Sequence, residues 1–238
     1  MCTDRENWYL WQDKSHNPAM NMAIDESLLQ IVHEKNIPLL RIYDWDRTAM
    51  SIGYVQKYEA VIKEGYELVR RPTGGGVVFH DVDLTYTVVI PKGNKIERTN
   101  REESYYIIHK VVIDALGKME MESNLVDKTN APKDRSSMQC FVAPVKFDVS
   151  IKNSKTGKDS KVAGAAQRRT KHGILHQGSI VLDDINNIKQ LLINNLIDSF
   201  REELNIEFIN FIPDNSLLND AEKLAVSKYG TDVWNKKR

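Results

Sequence analysis

Gly74-Gly75-Gly76 interrupts two strand-like runs, Glu67 to Arg71 and Val77 to Phe79, and so forces a reversal or close approach of the backbone at that point. A stretch without side chains lets a ligand reach the main chain, where amide hydrogens can meet a carbonyl, carboxylate or phosphate. Arg70 and Arg71 stand just before the glycines and His80-Asp81 just after them. From glycine content alone, a hairpin turn flanked by surface arginines explains the segment equally well. Two nucleotide motifs are excluded by spacing, since neither G-x-G-x-x-G nor G-x-x-x-x-G-K-[ST] is present.

The rest of the chain supplies both helices and strands. Asn17-Pro18 places a capping side chain before a proline suited to the first helical position, and Ile24, Leu28, Ile31 and Val32 then share one face. Strand-like runs follow at Leu39 to Tyr43, Ala49 to Ile52 and Leu84 to Ile90, the last with a partial period of two. A helix is predicted over Arg101 to Lys118, capped by Asn100, with Glu102 and Glu103 at its positive end and Ile108, Val111, Val112, Ala115 and Leu116 as its buried stripe. Asp127 to Gln139 reads as a loop ending at Cys140. Phe147 to Ile151 and Lys161 to Ala166 read as strands, and the turn residues Asn153 to Lys158 between them predict a hairpin. A strand at Ile174 to Leu182 and helices at Ile185 to Leu204 and Leu217 to Tyr229 complete the chain. Strands grouped together, with helices not strictly alternating, predict an α+β fold. No linker divides residues 1–238 into two large domains, and the expectation is one domain without an accessory domain.

Composition narrows the partners. The chain has 238 residues, with 33 Lys plus Arg against 33 Asp plus Glu, so there is no bulk attraction to nucleic acid or anionic lipid. No apolar run approaches the roughly 20 residues of a membrane helix, and Asp4, Arg5 and Glu6 leave no signal-peptide core near the start. Neither nucleic acid nor membrane is an expected partner. Two cysteines, Cys2 and Cys140, are too few for a disulfide scaffold. A reducing, cytoplasmic compartment is the expectation, which leaves a thiol free for chemistry.

Three further places carry candidate chemistry. In Lys161-Val162-Ala163-Gly164-Ala165-Ala166-Gln167, small residues beside a strand-borne lysine leave room for a slender apolar chain with an ammonium at its end. The plainer alternative is a solvated lysine beside closely packed small residues. Gly173-Ile174-Leu175-His176-Gln177-Gly178 puts a histidine inside a strand-like run. His172 and His176 are four apart, but Gly173 between them argues against a helical pair of ligands, and no His/Cys cluster completes a zinc site; metal catalysis is rejected. Cys140 follows the polar, cationic run Lys133 to Ser137, a setting that can lower a thiol pKa, while a buried structural cysteine is the commoner local reading.

Arg70-Arg71-x-x-Gly74-Gly75-Gly76-x-x-x-His80-Asp81, followed by Lys161-Val162-Ala163-Gly164-Ala165-Ala166-Gln167, resembles the lipoate/octanoate branch of the biotin and lipoate protein ligase family. The resemblance covers nearly the whole chain, from Asn17-Pro18-Ala19-Met20-Asn21-Met22-Ala23 to Lys228-Tyr229-Gly230-Thr231-Asp232-Val233-Trp234-Asn235. It implies a mixed β-sheet flanked by helices, with a tunnel for an eight-carbon acyl chain whose carboxyl end meets the glycine turn and Lys161. The substrate-binding residues it implies are Arg70, Arg71, Gly74, Gly75, Gly76, His80, Gly164, Ala165 and His176.

Within that branch, octanoyltransferases that use a cysteine carry it in a segment very similar to Ser136-Ser137-Met138-Gln139-Cys140-Phe141-Val142-Ala143-Pro144. The resemblance therefore makes Cys140 the nucleophile and Lys161 its electrostatic partner. It implies octanoyl-acyl carrier protein as donor, a lysine of a lipoyl domain or glycine cleavage H protein as acceptor, and no required cofactor. Two rivals stand beside this reading. One is a lipoate ligase that works through an acyl-adenylate with ATP and Mg and does not need Cys140. The other is a non-catalytic paralogue that binds a carrier protein.

Overall fold

The computed structural model describes residues 5–127, 145–152 and 159–237. Its strands are β1 (Glu6–Gln12), β2 (Leu39–Tyr43), β3 (Ala49–Ile52), β4 (Glu67–Arg70), β5 (Val78–His80), β6 (Leu84–Pro91), β7 (Ser123–Leu125), β8 (Val149–Lys152), β9 (Asp159–Thr170), β10 (Gly173–Ile180) and β11 (Ile206–Asn210). Its helices are α1 (Pro18–Lys35), α2 (Lys95–Arg98), α3 (Arg101–Gly117), α4 (Ile185–Leu204), α5 (Asn215–Leu224) and α6 (Asp232–Asn235), with a π turn at Ala225–Tyr229 after α5. Among the described residues, no helix is long and apolar enough to cross a membrane.

Eight strands form one mixed sheet in the order β11-β1-β2-β6-β10-β9-β8-β7. β1 runs parallel to β11 and β2, while the β2–β6, β6–β10 and β10–β9 pairs are antiparallel. A separate three-stranded sheet, β4-β3-β5, lies beside it. The fold is α+β with a mixed sheet flanked by helices, as expected, but the glycine turn belongs to the smaller sheet: β4 leads into it and β5 leaves it. Side-chain alternation on β6 explains the layering. Tyr86, Val88 and Ile90 join Ile108, Val111 and Val112 of α3 and Leu192, Leu196 and Phe200 of α4 in one core. Val89 joins Met22, Ile24 and Leu28 of α1 and Leu175 of β10 in the other. Helices cover both faces, so the polar positions of β6 are buried as well and its period of two is blurred.

The helix boundaries follow from side-chain chemistry. Asn17 Oδ1 accepts from the Met20 amide (2.9 Å), and Asn36 closes α1 in the left-handed conformation. Asn100 Oδ1 accepts from the Glu103 amide (2.9 Å) at the start of α3. The predicted final helix divides at Leu224, where α5 gives way to the π turn. The strand predicted from Phe147 begins instead at Val149, because Phe147 has φ 71° and the amide of Asp148 turns back to the Val145 carbonyl. β8 and β9 form the expected antiparallel pair, and residues 153–158 between them lie outside the described residues.

Candidate active site

The glycine turn is built around Arg71. Its Nη1 donates to the Ser51 carbonyl and hydroxyl oxygens (both 2.7 Å), and its Nη2 donates to the carbonyls of Gly74 (2.9 Å) and Gly76 (2.8 Å). Gly75 takes φ 85°, a conformation open to glycine at no steric cost, and its carbonyl packs where Gly53 has no β-carbon. Thr73 donates to Gln177 Oε1 (2.7 Å), and Gln177 Nε2 donates to Asp25 Oδ2 (2.7 Å). The turn is thus tied to β10 and to a buried network in which Arg41 pairs with Asp25 and Asp13 (both 2.7 Å). Burial alone would raise the Asp13 carboxyl, but His16 and Arg41 hold it below its ordinary value.

A pocket opens between the two sheets, bounded by Arg71, Ser51, Val78 and His80 on one side and Gly164, Ala165, Ala166, Gln177, Gly178 and Ser179 on the other. Met22, Tyr43, Trp45 and Thr85 complete its wall. The cavity itself is narrow, about 30 Å³ in volume. The small residues at 164–166 make room for a narrow guest.

His80 anchors the polar side of that pocket. Its Nδ1 lies 2.9 Å from Asp83 Oδ2 and its Nε2 lies 2.7 Å from Ser51 Oγ, while Trp45 stacks on its ring at 4.0 Å. Thr85 (2.9 Å) and Ser179 (2.7 Å) also donate to Asp83 Oδ2. Burial pushes the Asp83 carboxyl up, but His80, Ser179 and Thr85 outweigh it and hold the group below the usual carboxylate range.

Lys161 is positioned by an irregularity. Val149 opposes Ala163 while Ser150 opposes Lys161, so Val162 is an extra residue on β9 and strict alternation breaks there. The ammonium consequently lies against Gly164, three positions on, where a β-carbon would be 2.5 Å from Lys161 Nζ. Its side chain is 2% exposed and pairs with Asp148 Oδ2 at 2.7 Å. The same oxygen accepts from the Val145 amide (2.6 Å). Nearby on the α3 side, His109 Nδ1 bonds the Phe147 carbonyl, and Gln167 Nε2 lies 3.0 Å from His176 Nδ1. Burial lowers the pKa of both imidazoles, that of His176 strongly and with help from His109.

Arg71, His80, Gly164 and Ala165 therefore share one pocket, Gly75 adjoins it through Arg71 and Ala166, and Gly74 and Gly76 present their carbonyls to Arg71. Two expected binding residues lie elsewhere. Arg70 turns away from the pocket and donates to the carbonyls of Gly53, Tyr54 and Gln56 and of Trp234 and Asn235. His176 faces α3 because β-strand side chains alternate, and it is Gln177 that reaches the pocket side. Cys140, together with the rest of 128–144, lies outside the described residues, as does Cys2. Sequence reading missed Ser51, Asp83, Trp45 and Asp148. The paired run His80-Asp81-Val82-Asp83 held the signal for Asp83, three residues from the histidine it orients.

A family model described as the lipoyl protein ligase A/B catalytic domain matches residues 17–205. An octanoyltransferase LipM from Brevibacillus brevis is 31% identical, over 98% of this chain and 100% of the relative. A putative lipoate protein ligase from T. acidophilum with bound lipoic acid superposes with a TM-score of 0.78 at 22% identity, over 98% of this chain and 99% of that one. A structure of a bi-partite lipoate protein ligase and its E2 lipoyl domain from Thermoplasma acidophilum gives 0.75 at 22% identity, over 97% and 96%. At that identity the structural likeness is one of fold.

Proposed function

The chain belongs to the lipoyl protein ligase A/B catalytic-domain family, and from that premise we propose that it is an octanoyltransferase that works through a thioester on Cys140. The observation that carries the reading is the match to the octanoyltransferase LipM over both full lengths. The geometry supports it with a narrow pocket, small residues at 164–166 and a buried ammonium packed on Gly164. Cys140 precedes Val145 by five residues, and five extended residues span at most about 18 Å. That length limits how far Cys140 can stand from Val145, whose amide donates to the Asp148 carboxylate that pairs with Lys161.

In the first step the Cys140 thiolate attacks the octanoyl thioester of acyl carrier protein. A new carbon–sulfur bond forms, the old one breaks, and the carrier leaves as its thiolate. Donor and product are both thioesters, so the step is near thermoneutral. In the second step a lysine amine of a lipoyl domain or glycine cleavage H protein attacks the acyl-enzyme. The amide bond forms as the carbon–sulfur bond to Cys140 breaks, and the departing thiolate takes up the proton that the amine loses. Amide formation drives the sequence. Lys161 stabilises the thiolate and the developing oxyanion, with the amides around Gly75 and Gly76 as further donors; one well-aimed donor contributes on the order of 3 kcal/mol at the transition state. Neither ATP nor Mg is required, since the thioester is already activated. A cytoplasmic setting, which keeps the thiol reduced, belongs to the same proposal, and the T. acidophilum ligase structure with its E2 lipoyl domain supports a lipoyl-domain acceptor.

Intact-protein mass spectrometry after mixing with octanoyl carrier protein, without ATP, tests the proposal. The wild type gains one octanoyl group and Cys140→Ala gains none. Absence of the adduct, with ATP-dependent lipoylation and pyrophosphate release by Cys140→Ala, overturns it in favour of an adenylating ligase.

A further inference from the structure

Arg70 joins two segments that are far apart in sequence. On one side its Nη1 donates to the carbonyls of Gly53 (3.1 Å), Tyr54 (3.3 Å) and Gln56 (2.7 Å). On the other, its Nε donates to the carbonyls of Trp234 and Asn235 (both 3.2 Å) and its Nη2 to that of Asn235 (2.7 Å). The main chain of the same residue is clasped as well: the Arg70 amide donates to Asn235 Oδ1 (2.8 Å), and Trp234 Nε1 donates to the Arg70 carbonyl (2.8 Å). Asn235 is itself held by Nδ2 donating to the Tyr229 carbonyl (2.8 Å). Arg70 is fully buried, so each of these donors needs its acceptor in place.

The 53–56 loop that Arg70 grips is the surface on which the glycine turn rests. A β-carbon on Gly53 would overlap the Gly75 carbonyl, the Tyr54 amide donates to the Thr73 carbonyl (2.8 Å), and the Arg71 amide donates to the Ile52 carbonyl (2.8 Å). A continuous set of contacts therefore runs from Trp234 and Asn235, through Arg70 and the 53–56 loop, to the turn whose carbonyls orient the pocket-lining Arg71. We propose that Trp234 and Asn235 are positioning residues for octanoyl transfer, setting the glycine turn and Arg71 through Arg70.

The proposal rests on the octanoyl-transfer reading for one of its two readouts and is independent of it for the other. The full chain carrying Asn235→Leu loses both the acceptor for the Arg70 amide and the donor to the Tyr229 carbonyl at nearly unchanged side-chain size. Trp234→Phe removes the indole donor together with part of the ring that packs on Tyr54 and Tyr229. In hydrogen exchange, Asn235→Leu and Trp234→Phe speed exchange of the Gly53, Tyr54 and Arg71 amides by about five- to tenfold, the size of one lost hydrogen bond, while amides of β6 and β10 exchange as in the wild type. In octanoyl transfer, KM for the acyl donor rises by a similar factor with a smaller change in kcat. Unchanged exchange at those three amides, or acceleration spread evenly over the chain, overturns the proposal, because either result makes the segment a general stabiliser only. If Asn235→Leu fails to fold, Trp234→Phe decides by the same criteria. A wild type that shows no octanoyl transfer sinks the proposed function, and the exchange measurement then still decides the positioning role.

Discussion

Replacing Gly164 with alanine asks whether the Lys161 ammonium acts from the place it occupies. The added methyl would sit 2.5 Å from Lys161 Cε and Nζ and 3.0 Å from Asp148 Oδ1, against ordinary contact from 3.4 Å. The ammonium must retreat by about 0.9 Å to reach that contact. What stands in the way is the end of a flexible side chain, so β9 can keep its path. Overpacking costs about 1–3 kcal/mol, and the lower chain entropy of alanine in the unfolded state returns about 0.5–1 kcal/mol of it, leaving a folded protein. Activity suffers more, since a displacement of about 1 Å at a reacting group costs on the order of a hundredfold. The assay is kcat/KM for octanoyl transfer to a lipoyl domain, with a thermal melt on the same samples, for Gly164→Ala, Lys161→Ala and the double variant. Once Lys161 is alanine the methyl meets only Asp148 Oδ1 at 3.0 Å, which a few tenths of an ångström relieve, so Gly164→Ala adds less than about twofold on that background. Penalties that multiply, or a single Gly164→Ala variant at wild-type rate, would refute the reasoning, the first by showing that the methyl acts by narrowing the pocket.

Further outcomes follow from the same contacts. Gly53→Ala meets the Gly75 carbonyl, which is backbone, so it is expected to lower stability by about 1–3 kcal/mol and to reduce octanoyl transfer together with it, as read by urea unfolding and rate. The lowered Asp83 carboxyl stabilises the fold fully above its unfolded value near pH 4, and that contribution is lost as pH falls towards the lower folded value. Asp83→Asn should therefore be less stable at pH 7 and show a shallower loss below pH 4 than wild type in equilibrium unfolding. His176 is held neutral by burial, so the unfolded chain takes up a proton first as pH drops below about 6.5. Stability should fall there by up to about 1.4 kcal/mol per pH unit for this ring, and His176→Gln should remove that slope between pH 6.5 and 5.

Short-range chemistry made much of the fold legible. Asn17-Pro18 and Asn100 mark helix starts because capping is a local event, and the Leu39–Tyr43 and Ala49–Ile52 strands stand where their apolar runs stand. β1 and β11 escaped because they pair in parallel with one another, Glu6 opposite Ile206, and no turn signal announces such a pair. The site was harder to read for a related reason: on a strand, the side of a residue is a matter of parity, and one position exchanges one face for the other. Arg70 and Arg71 are adjacent, as are His176 and Gln177, and each pair offers two polar candidates for a single place in the pocket. The choice is made by partners remote in sequence. Asn235 claims Arg70 and leaves Arg71 to the glycine carbonyls, while Thr73 and Asp25 hold Gln177 and leave His176 to α3. Lys161 depends on a further step, since unbroken alternation would set it with Ala163 and Ala165, and only the extra Val162 brings it against Gly164. A motif can thus name the residue types of this site while its parity waits on tertiary contacts, and variants at adjacent positions such as Arg70 and Arg71 should fail in different ways: the first by loosening the 53–56 loop, the second by releasing the glycine turn directly.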